Sequence, residues 1–147
     1  MKNQAVICAF FGHRCFGYEM VRENIKSIIV DLIKNQGITE FYNGFRGDFD
    51  CICAEIVRDL KSTYPTIKNI LVLSYYPKAD FVLPTFFDES VYLLEEPVPM
   101  KFAIFHTNRK IVDAATVIVS GVKLDSGGAW AACEYARFKN KNIISIF

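Results

Sequence analysis

Short apolar stretches alternate with amphipathic helical stretches along most of the chain, and this alternation limits the possible folds more than any other feature. Residues 5–11 are almost entirely apolar, which is typical of a strand that is covered on both faces. Hydrophobic residues then recur at helical spacing over 20–34, and Gly37 is a suitable C-terminal stop. Further strands are predicted at 40–43, 68–73, 116–120 and 142–146, and further helices at 49–60 (with Asp48 as its N-cap), 100–115 and 129–140.

Strands that alternate with helices of about 10–15 residues imply right-handed crossovers and a parallel sheet. We therefore predict a Rossmann-like three-layer α/β/α sandwich with a five-stranded, mainly parallel sheet in the order 3-2-1-4-5. The switch point then lies between the first and the fourth strand. A length of 147 residues is that of one such domain.

One segment, residues 74–99, interrupts the alternation. It holds four of the five prolines together with six aromatic residues. A loop of this length is usually a lid, a binding loop or an interface. The alternative is an irregular excursion with a small apolar cluster of its own.

Charge and cysteine content exclude several classes of protein. The chain carries 17 Lys and Arg against 16 Asp and Glu, so nucleic acid is not expected as a partner, because such binding needs a basic surface. Apolar runs are too short to span a bilayer and lack the features of an export signal, so no membrane association is expected. The five cysteines lack the paired spacing of a zinc site, and we predict reduced thiols in a cytoplasmic protein without a metal.

The eight glycines are unevenly placed, and none lies between Asp48 and Ser120. Most of them fall where the predicted strands one, two and four end, and ligands of parallel sheets bind beyond those carboxyl ends. After strand one, Gly12 permits a tight turn, and His13 and Arg14 offer donors to a phosphate or a carboxylate. A surface turn with solvated basic residues is the alternative for this loop.

Two later glycine-bearing loops precede helices. After strand two, Gly44 and Gly47 would leave backbone N–H groups free to bind an anion, while Asp50 could cap the helix or accept from ribose hydroxyls. After strand four, Gly127 and Gly128 open a helix and form another candidate phosphate cradle. The predicted ligand-binding set, which includes the last residue of strand four, comprises Gly12, His13, Arg14, Gly44, Gly47, Asp50, Ser120, Gly127 and Gly128.

Four short motifs together resemble the SLOG superfamily, the Rossmann-like group that includes the DNA-processing protein DprA and the LOG phosphoribohydrolases. They are F-G-H-R at the end of strand one, G-F-R-G-D-F-D before a helix that holds Glu55, R-K-x-V-D-A-A from Arg109, and S-G-G-A-x-x-A-x-E-Y-A from Ser126. The resemblance covers most of the chain except 74–99, and the small YpsA-like proteins are the most similar branch. It implies that the three strand ends bind or sense a nucleotide-like ligand.

The LOG enzymes offer an alternative function, cleavage of the N-glycosidic bond of nucleoside monophosphates. Arg109 with Lys110 matches their Arg-Lys pair, and Glu134 matches their glutamate at the same distance from the Gly-Gly pair. The resemblance implies catalytic roles for two of these residues. Arg109 would orient the phosphate or the glutamate, and Glu134 would engage ribose hydroxyls or stabilise an oxocarbenium-like charge.

This chain departs from the LOG pattern at three positions. Ser126 stands in place of a proline, and Trp130 and Ala131 stand in place of Gly-Thr, which bears on catalysis more than on binding. The main prediction is therefore binding or sensing of AMP, ADP-ribose or an NAD-like molecule, with no other cofactor. A protein-interaction module with a vestigial pocket, using the 74–99 segment, is the second alternative. A homodimer through the exposed helices or through that segment is expected.

Overall fold

The computed structural model describes residues 5–147. The strands are β1 (Ile7–Gly12), β2 (Glu40–Asn43), β3 (Lys68–Leu73), β4 (Glu89–Tyr92), β5 (Val117–Gly121) and β6 (Asn142–Ser145). The helices are α1 (Arg22–Gln36), α2 (Asp48–Leu60), α3 (Ala103–Ala114) and α4 (Gly128–Phe138).

The strands form one parallel sheet in the order β4-β3-β2-β1-β5-β6. The predicted Rossmann-like α/β fold is confirmed, and β3-β2-β1-β5-β6 is the predicted order 3-2-1-4-5. The sheet has six strands rather than the predicted five, because β4 forms within the 74–99 segment and pairs with β3 at the edge. No apolar alternation marks this short, half-exposed strand, which is ordered by main-chain pairing more than by burial.

The helices differ from the prediction mainly at their starts. Short 3₁₀ turns, Glu19–Val21 and Met100–Phe102, precede α1 and α3, so both helices begin later than the hydrophobic pattern indicates. Gly37 ends α1 in the left-handed conformation with φ 68°, as its position predicts. Within residues 5–147, no helix is long and apolar enough to cross a membrane.

The sheet separates two hydrophobic cores, and β1 contributes to both. Cys8 and Phe10 pack with α1 and α2, whereas Ala9 and Phe11 pack with α3 and α4, because successive strand residues point to opposite faces. All four side chains are buried. The face of α4 on the second core consists of small residues, namely Ala132, Cys133 and Ala136.

The 74–99 segment is anchored to the β3 edge through Asn69. The buried Asn69 side chain donates from Nδ2 to the carbonyl oxygens of Ala54 and Phe86, at 3.1 and 2.9 Å. Its backbone N–H donates to Asp88 Oδ2 at 2.8 Å. Phe87 is buried in a small third cluster against α2 and β3. The segment therefore has both a small apolar cluster and a strand of the main sheet.

All five cysteines are free thiols. Cys8, Cys53 and Cys133 are buried, whereas Cys15 and Cys51 are exposed. Burial raises the pKa of the buried thiols, so they stay protonated and serve as small apolar residues.

Candidate functional site

The loops that follow β1, β2 and β5 meet around a cavity of about 380 Å³ at the carboxyl edge of the sheet. The structure brings most of the predicted ligand-binding residues to this cavity, namely Gly12, His13, Arg14, Gly44, Asp50, Gly127 and Gly128. Gly47 and Ser120 do not line it. The lining also includes residues outside the predicted set, among them Arg46, Ile104, Asn108 and Ala129.

The ring of Phe49 lies across the ends of β1 and β5. Gly12 and Gly121 are opposite each other in the register of these strands. A Cβ atom would lie 2.3 Å from Phe49 at Gly12 and 2.5 Å from it at Gly121. Phe49 is fully buried in the first turn of α2. Close packing on Phe49 therefore requires glycine at both strand ends, whatever Gly12 contacts in the cavity.

Two side chains of the β1–α1 loop hold the end of β5 in place. Tyr18 Oη donates to the carbonyl oxygen of Gly121 at 2.6 Å and accepts from the His13 N–H at 2.9 Å. Burial raises the pKa of Tyr18 to about 12, so its hydroxyl keeps its proton. His13 Nε2 accepts from the backbone N–H groups of Lys123 and Leu124, at 2.8 and 3.0 Å. This leaves Nδ1–H as the one ring donor that His13 can offer elsewhere.

The first amides of α2 are engaged by the β1–α1 loop. Asp48 donates from its N–H to the carbonyl oxygen of Arg14 at 2.8 Å, and Phe49 donates to that of His13 at 3.4 Å. At Gly47 a Cβ atom would lie 2.3 Å from the Cα atom of Arg14, so the two loops are in direct contact. The first two N–H groups of α2, on Asp48 and Phe49, therefore have protein acceptors and are not free for an anion.

The N-terminus of α4 is different. Gly127 precedes the helix with φ 96°, and no side chain caps it. Within the described part of the chain, the N–H groups of Gly128, Ala129 and Trp130 have no protein acceptor. The first bond of the helix runs from Ala131 N–H to the Gly127 carbonyl at 3.0 Å. Unpaired amides and the helix dipole together form a surface that attracts anions.

The loop after β2 directs a guanidinium group to the cavity. Phe45 has φ 55°, a left-handed conformation that is uncommon for a residue other than glycine, and its ring packs on Phe87 with centroids 5.1 Å apart. The next residue, Arg46, is half-buried and lines the cavity. Its Nη1 donates to Asn108 Oδ1 at 3.4 Å, and its Nη2 donates to Ser74 Oγ. Burial lowers the pKa of Arg46, because a buried cation loses hydration.

Asp50 places a carboxyl group at the same wall. Its Oδ2 accepts from the Arg46 N–H at 3.0 Å. Burial raises the pKa of Asp50 to about 6, although this hydrogen bond and the charges of Arg46 and Arg14 lower it in part. Within residues 5–147, no group of three or more His, Cys, Asp or Glu side chains is arranged to hold a metal ion.

Ser120 is buried below the cavity. Its Oγ accepts from the Val122 N–H at 3.2 Å and from Cys133 Sγ at 3.5 Å. These contacts hold the end of β5 against α4. The hydroxyl oxygen that was predicted to bind a ligand therefore already accepts hydrogen bonds from the protein.

The two residues with predicted catalytic roles, Arg109 and Glu134, do not line the cavity but lie together in a crevice between α3 and α4 of about 480 Å³. Arg109 also lines a small pocket that shares Ile104, Asn108 and Gly128 with the cavity. The Arg109 guanidinium stacks between the rings of Phe105 and Tyr135, at 4.7 and 4.5 Å from their centroids. Glu134 is exposed and forms an ion pair with Arg137. Trp130 also lines this crevice, so its indole does not crowd the amides that face the cavity.

Arg46 and Asn108 are the main cavity residues that sequence reasoning missed. Arg46 lies between Gly44 and Gly47, and the glycine spacing from which this loop was predicted to bind an anion assigns no role to the cation between them. Asn108 occupies the apolar stripe of α3 between Ile104 and Ile111, and all three side chains line the cavity. A polar residue within such a stripe is the signal that could have identified it.

The chain is similar in structure to DNA processing protein A (DprA) from Streptococcus pneumoniae, with a TM-score of 0.68 and 18% identity over 96% of this chain and 50% of that one. Its fold is similar to that of about half of the DprA chain. DprA from Helicobacter pylori, whose structure concerns a single-stranded DNA binding mode, has a TM-score of 0.66 at 18% identity over 95% of this chain and 64% of that one. The structural genomics target TM1055 has a TM-score of 0.62 at 14% identity over 94% of this chain and 72% of that one.

This chain spans about half the length of the Streptococcus DprA chain. No protein-family model and no curated protein sequence matches it. At these identities the likeness to DprA and TM1055 establishes a shared Rossmann-like α/β fold alone.

Proposed function

We propose that the protein binds or senses a nucleotide or nucleotide-derived ligand in the cavity, with a phosphate group at the N-terminus of α4. The observation that carries this proposal is the set of three N–H groups, on Gly128, Ala129 and Trp130, that have no acceptor within the described residues. The fold supports it as well, since parallel sheets bind ligands beyond the carboxyl ends of their strands. The same function is implied by the resemblance to the YpsA-like branch.

The other walls of the cavity favour a nucleotide over inorganic phosphate. Asp50 offers carboxyl oxygens to which ribose hydroxyls could donate. Ile104 and Ile111 offer apolar surface on which a base could pack. Such a combination of apolar walls and a few polar groups is typical of small-molecule sites.

Thermal unfolding in the presence of AMP, ADP-ribose and NAD tests the proposal. A ligand at about 100 times its Kd stabilises the folded state by roughly 2.7 kcal/mol, which raises the Tm by several degrees. Gly128→Asp places a carboxylate among the unpaired amides, where it suits the helix dipole but repels phosphate, so the fold should survive and the Tm shift should vanish. Gly17→Asp is the matched control, because Gly17 lies in open space outside the cavity. A Tm that no nucleotide changes would contradict the proposal.

Hydrolysis of a nucleotide N-glycosidic bond remains the second candidate, based on the match of Arg109 and Glu134 to the LOG enzymes. Free base released from nucleoside monophosphates, and lost in Glu134→Gln, would support it. Undiminished release by Glu134→Gln would exclude the proposed role of Glu134. Single-stranded DNA belongs in the same panel, and we expect it to leave the Tm unchanged because positive and negative charges nearly balance.

A further inference from the structure

Arg46 is a partly buried cation that interacts with the charge of Asp50 but forms no ion pair with it. Its guanidinium lines the cavity and is held by two neutral groups, the Asn108 Oδ1 and the Ser74 hydroxyl. Among the ion pairs of the described chain, none includes Arg46. Removing a cation from water is costly unless an anion or several acceptors compensate it. The remaining N–H groups of the guanidinium are therefore free to donate to a ligand in the cavity.

Asn108 supplies a second donor at the same wall. Its side chain is only 9% exposed and lines the cavity. Because Oδ1 accepts from Arg46, the Nδ2 group is the free end of the amide, and no acceptor within residues 5–147 pairs with it. The Nδ2 atom is not itself sealed from solvent, so this amide of a nearly buried cavity residue is free to donate to a ligand or to water.

The charges of the cavity favour an anion. Arg14 and Arg46 line it, and Asp50 is the one acidic residue among its lining. Burial raises the pKa of Asp50 to about 6, so this carboxyl group is charged at neutral pH, but the two arginines outnumber it. The unpaired amides of α4 add further positive potential. The cavity is thus more positive than a chain with a net charge of +1 would suggest.

We infer that Arg46 and Asn108 form a second anion-binding subsite, and that the ligand carries two phosphate groups. One phosphate binds the amides at the N-terminus of α4, and the other binds the Arg46 guanidinium and Asn108 Nδ2. This inference rests on the proposed nucleotide site and narrows its ligand from nucleotides in general to nucleoside diphosphates and their derivatives. A guanidinium suits this role, because its planar donors match the oxygens of a phosphate.

Calorimetric titration with AMP, ADP and inorganic pyrophosphate tests the second subsite. The wild-type protein should bind ADP at least about tenfold more tightly than AMP, the gain expected from one additional charge-assisted contact. Arg46→Met should remove this preference while the affinity for AMP changes little. Arg137→Met is the matched control, because it removes the same charge from the exposed end of α4 and should keep the preference for ADP.

Asn108→Asp is a second, nearly isosteric variant, and it tests the inference independently if Arg46→Met fails to fold. Its carboxylate would pair with Arg46 and repel phosphate, so the folded protein should also lose the preference for ADP. Equal affinities of the wild type for AMP and ADP, or a preference that survives in Asn108→Asp, would overturn the inference.

The pyrophosphate titration separates this inference from the proposed function. If no nucleotide binds, the nucleotide site is wrong, yet pyrophosphate binding that Asn108→Asp abolishes would still support paired phosphate subsites. Absence of pyrophosphate binding as well would overturn both.

Discussion

At the scale of single residues, the glycines around the cavity have different physical causes. Gly12, Gly47 and Gly121 allow close contacts with Phe49 or with the β1–α1 loop. Gly127 has φ 96°, and a Cβ atom at Gly127 or Gly128 would meet open space. Clustering in the sequence therefore predicts the position of the cavity but not which glycines face a ligand. That distinction depends on Phe49, whose place across two distant strand ends follows only from the tertiary fold.

Gly12→Ala should destabilise the fold, because the added methyl group overlaps the Phe49 ring in a packed core. We expect a loss of about 1–3 kcal/mol in the free energy of unfolding, measured by urea denaturation. Gly17→Ala is the control, since that Cβ atom meets nothing within 4 Å. The double variant Gly12→Ala/Phe49→Leu should recover part of the loss. Equal stabilities of the two single alanine variants would contradict the assigned packing.

Asp50 should make stability depend on pH between about 4 and 6. Its pKa rises from 3.8 to about 6 on folding, so the folded state retains a proton that the unfolded state has released. The free energy of unfolding should therefore fall as pH rises through this interval, by at most about 3 kcal/mol relative to Asp50→Asn. Urea denaturation of both proteins at pH 4, 5, 6 and 7 measures the difference. A constant difference would show that Asp50 has an ordinary pKa.

At the scale of elements, two helices that begin after glycine loops differ in what their N-termini can bind. Both starts could be predicted from the sequence to within one residue, but the predicted N-cap of α2 is wrong, because Gly47 occupies that position and Asp48 is the first residue of the helix. Whether their first N–H groups are free could not be predicted. The carbonyl groups that accept from the first turn of α2 belong to His13 and Arg14, in a loop more than thirty residues earlier. The edge strand β4 was not predicted either, because it forms through backbone pairing with β3 and not through a local hydrophobic pattern.

Asn69→Ala should loosen the 74–99 segment. The variant removes two hydrogen bonds that join β3 to α2 and to Phe86, which should cost roughly 1–3 kcal/mol. Hydrogen exchange should accelerate at amides of β4 more than in β1, because β1 lies at the centre of the sheet. Asn35→Ala is the control, as Asn35 is exposed on α1 and bonds only to Asp31. Unchanged exchange in β4 would contradict the anchoring role of Asn69.

At the scale of the whole molecule, the alternation of strands and helices was sufficient to predict the fold and the edge at which the cavity lies. The composition of the cavity was harder to predict, because Asn108 comes from α3, which no strand-end rule selects. Arg109, the next residue along α3, does not line the cavity; it lines the α3–α4 crevice and, with Asn108, a small adjoining pocket. Because neighbouring helix residues point in directions about 100° apart, a motif match along α3 does not by itself place each of its residues in the cavity.

The predicted homodimer stays a prediction, and the α3–α4 face is where we expect it to form. This face exposes Phe105 and Phe138, the latter 79% exposed, beside the crevice that Trp130 lines. Sedimentation should give about twice the 16.8 kDa mass of one chain, and Phe138→Glu should give the single-chain mass. Met20→Glu is the control, as Met20 is fully solvated before α1. Dissociation by Tyr76→Glu instead would assign the interface to the 74–99 segment.

The sheet order has a consequence for how the chain is made. β1 is synthesised about a hundred residues before β5, which pairs with one of its edges. Until then a nascent chain would present the unpaired backbone of an apolar strand, the kind of edge that templates aggregation. The strand that organises the cavity therefore gains its second neighbour only after β2, β3 and β4 have been synthesised.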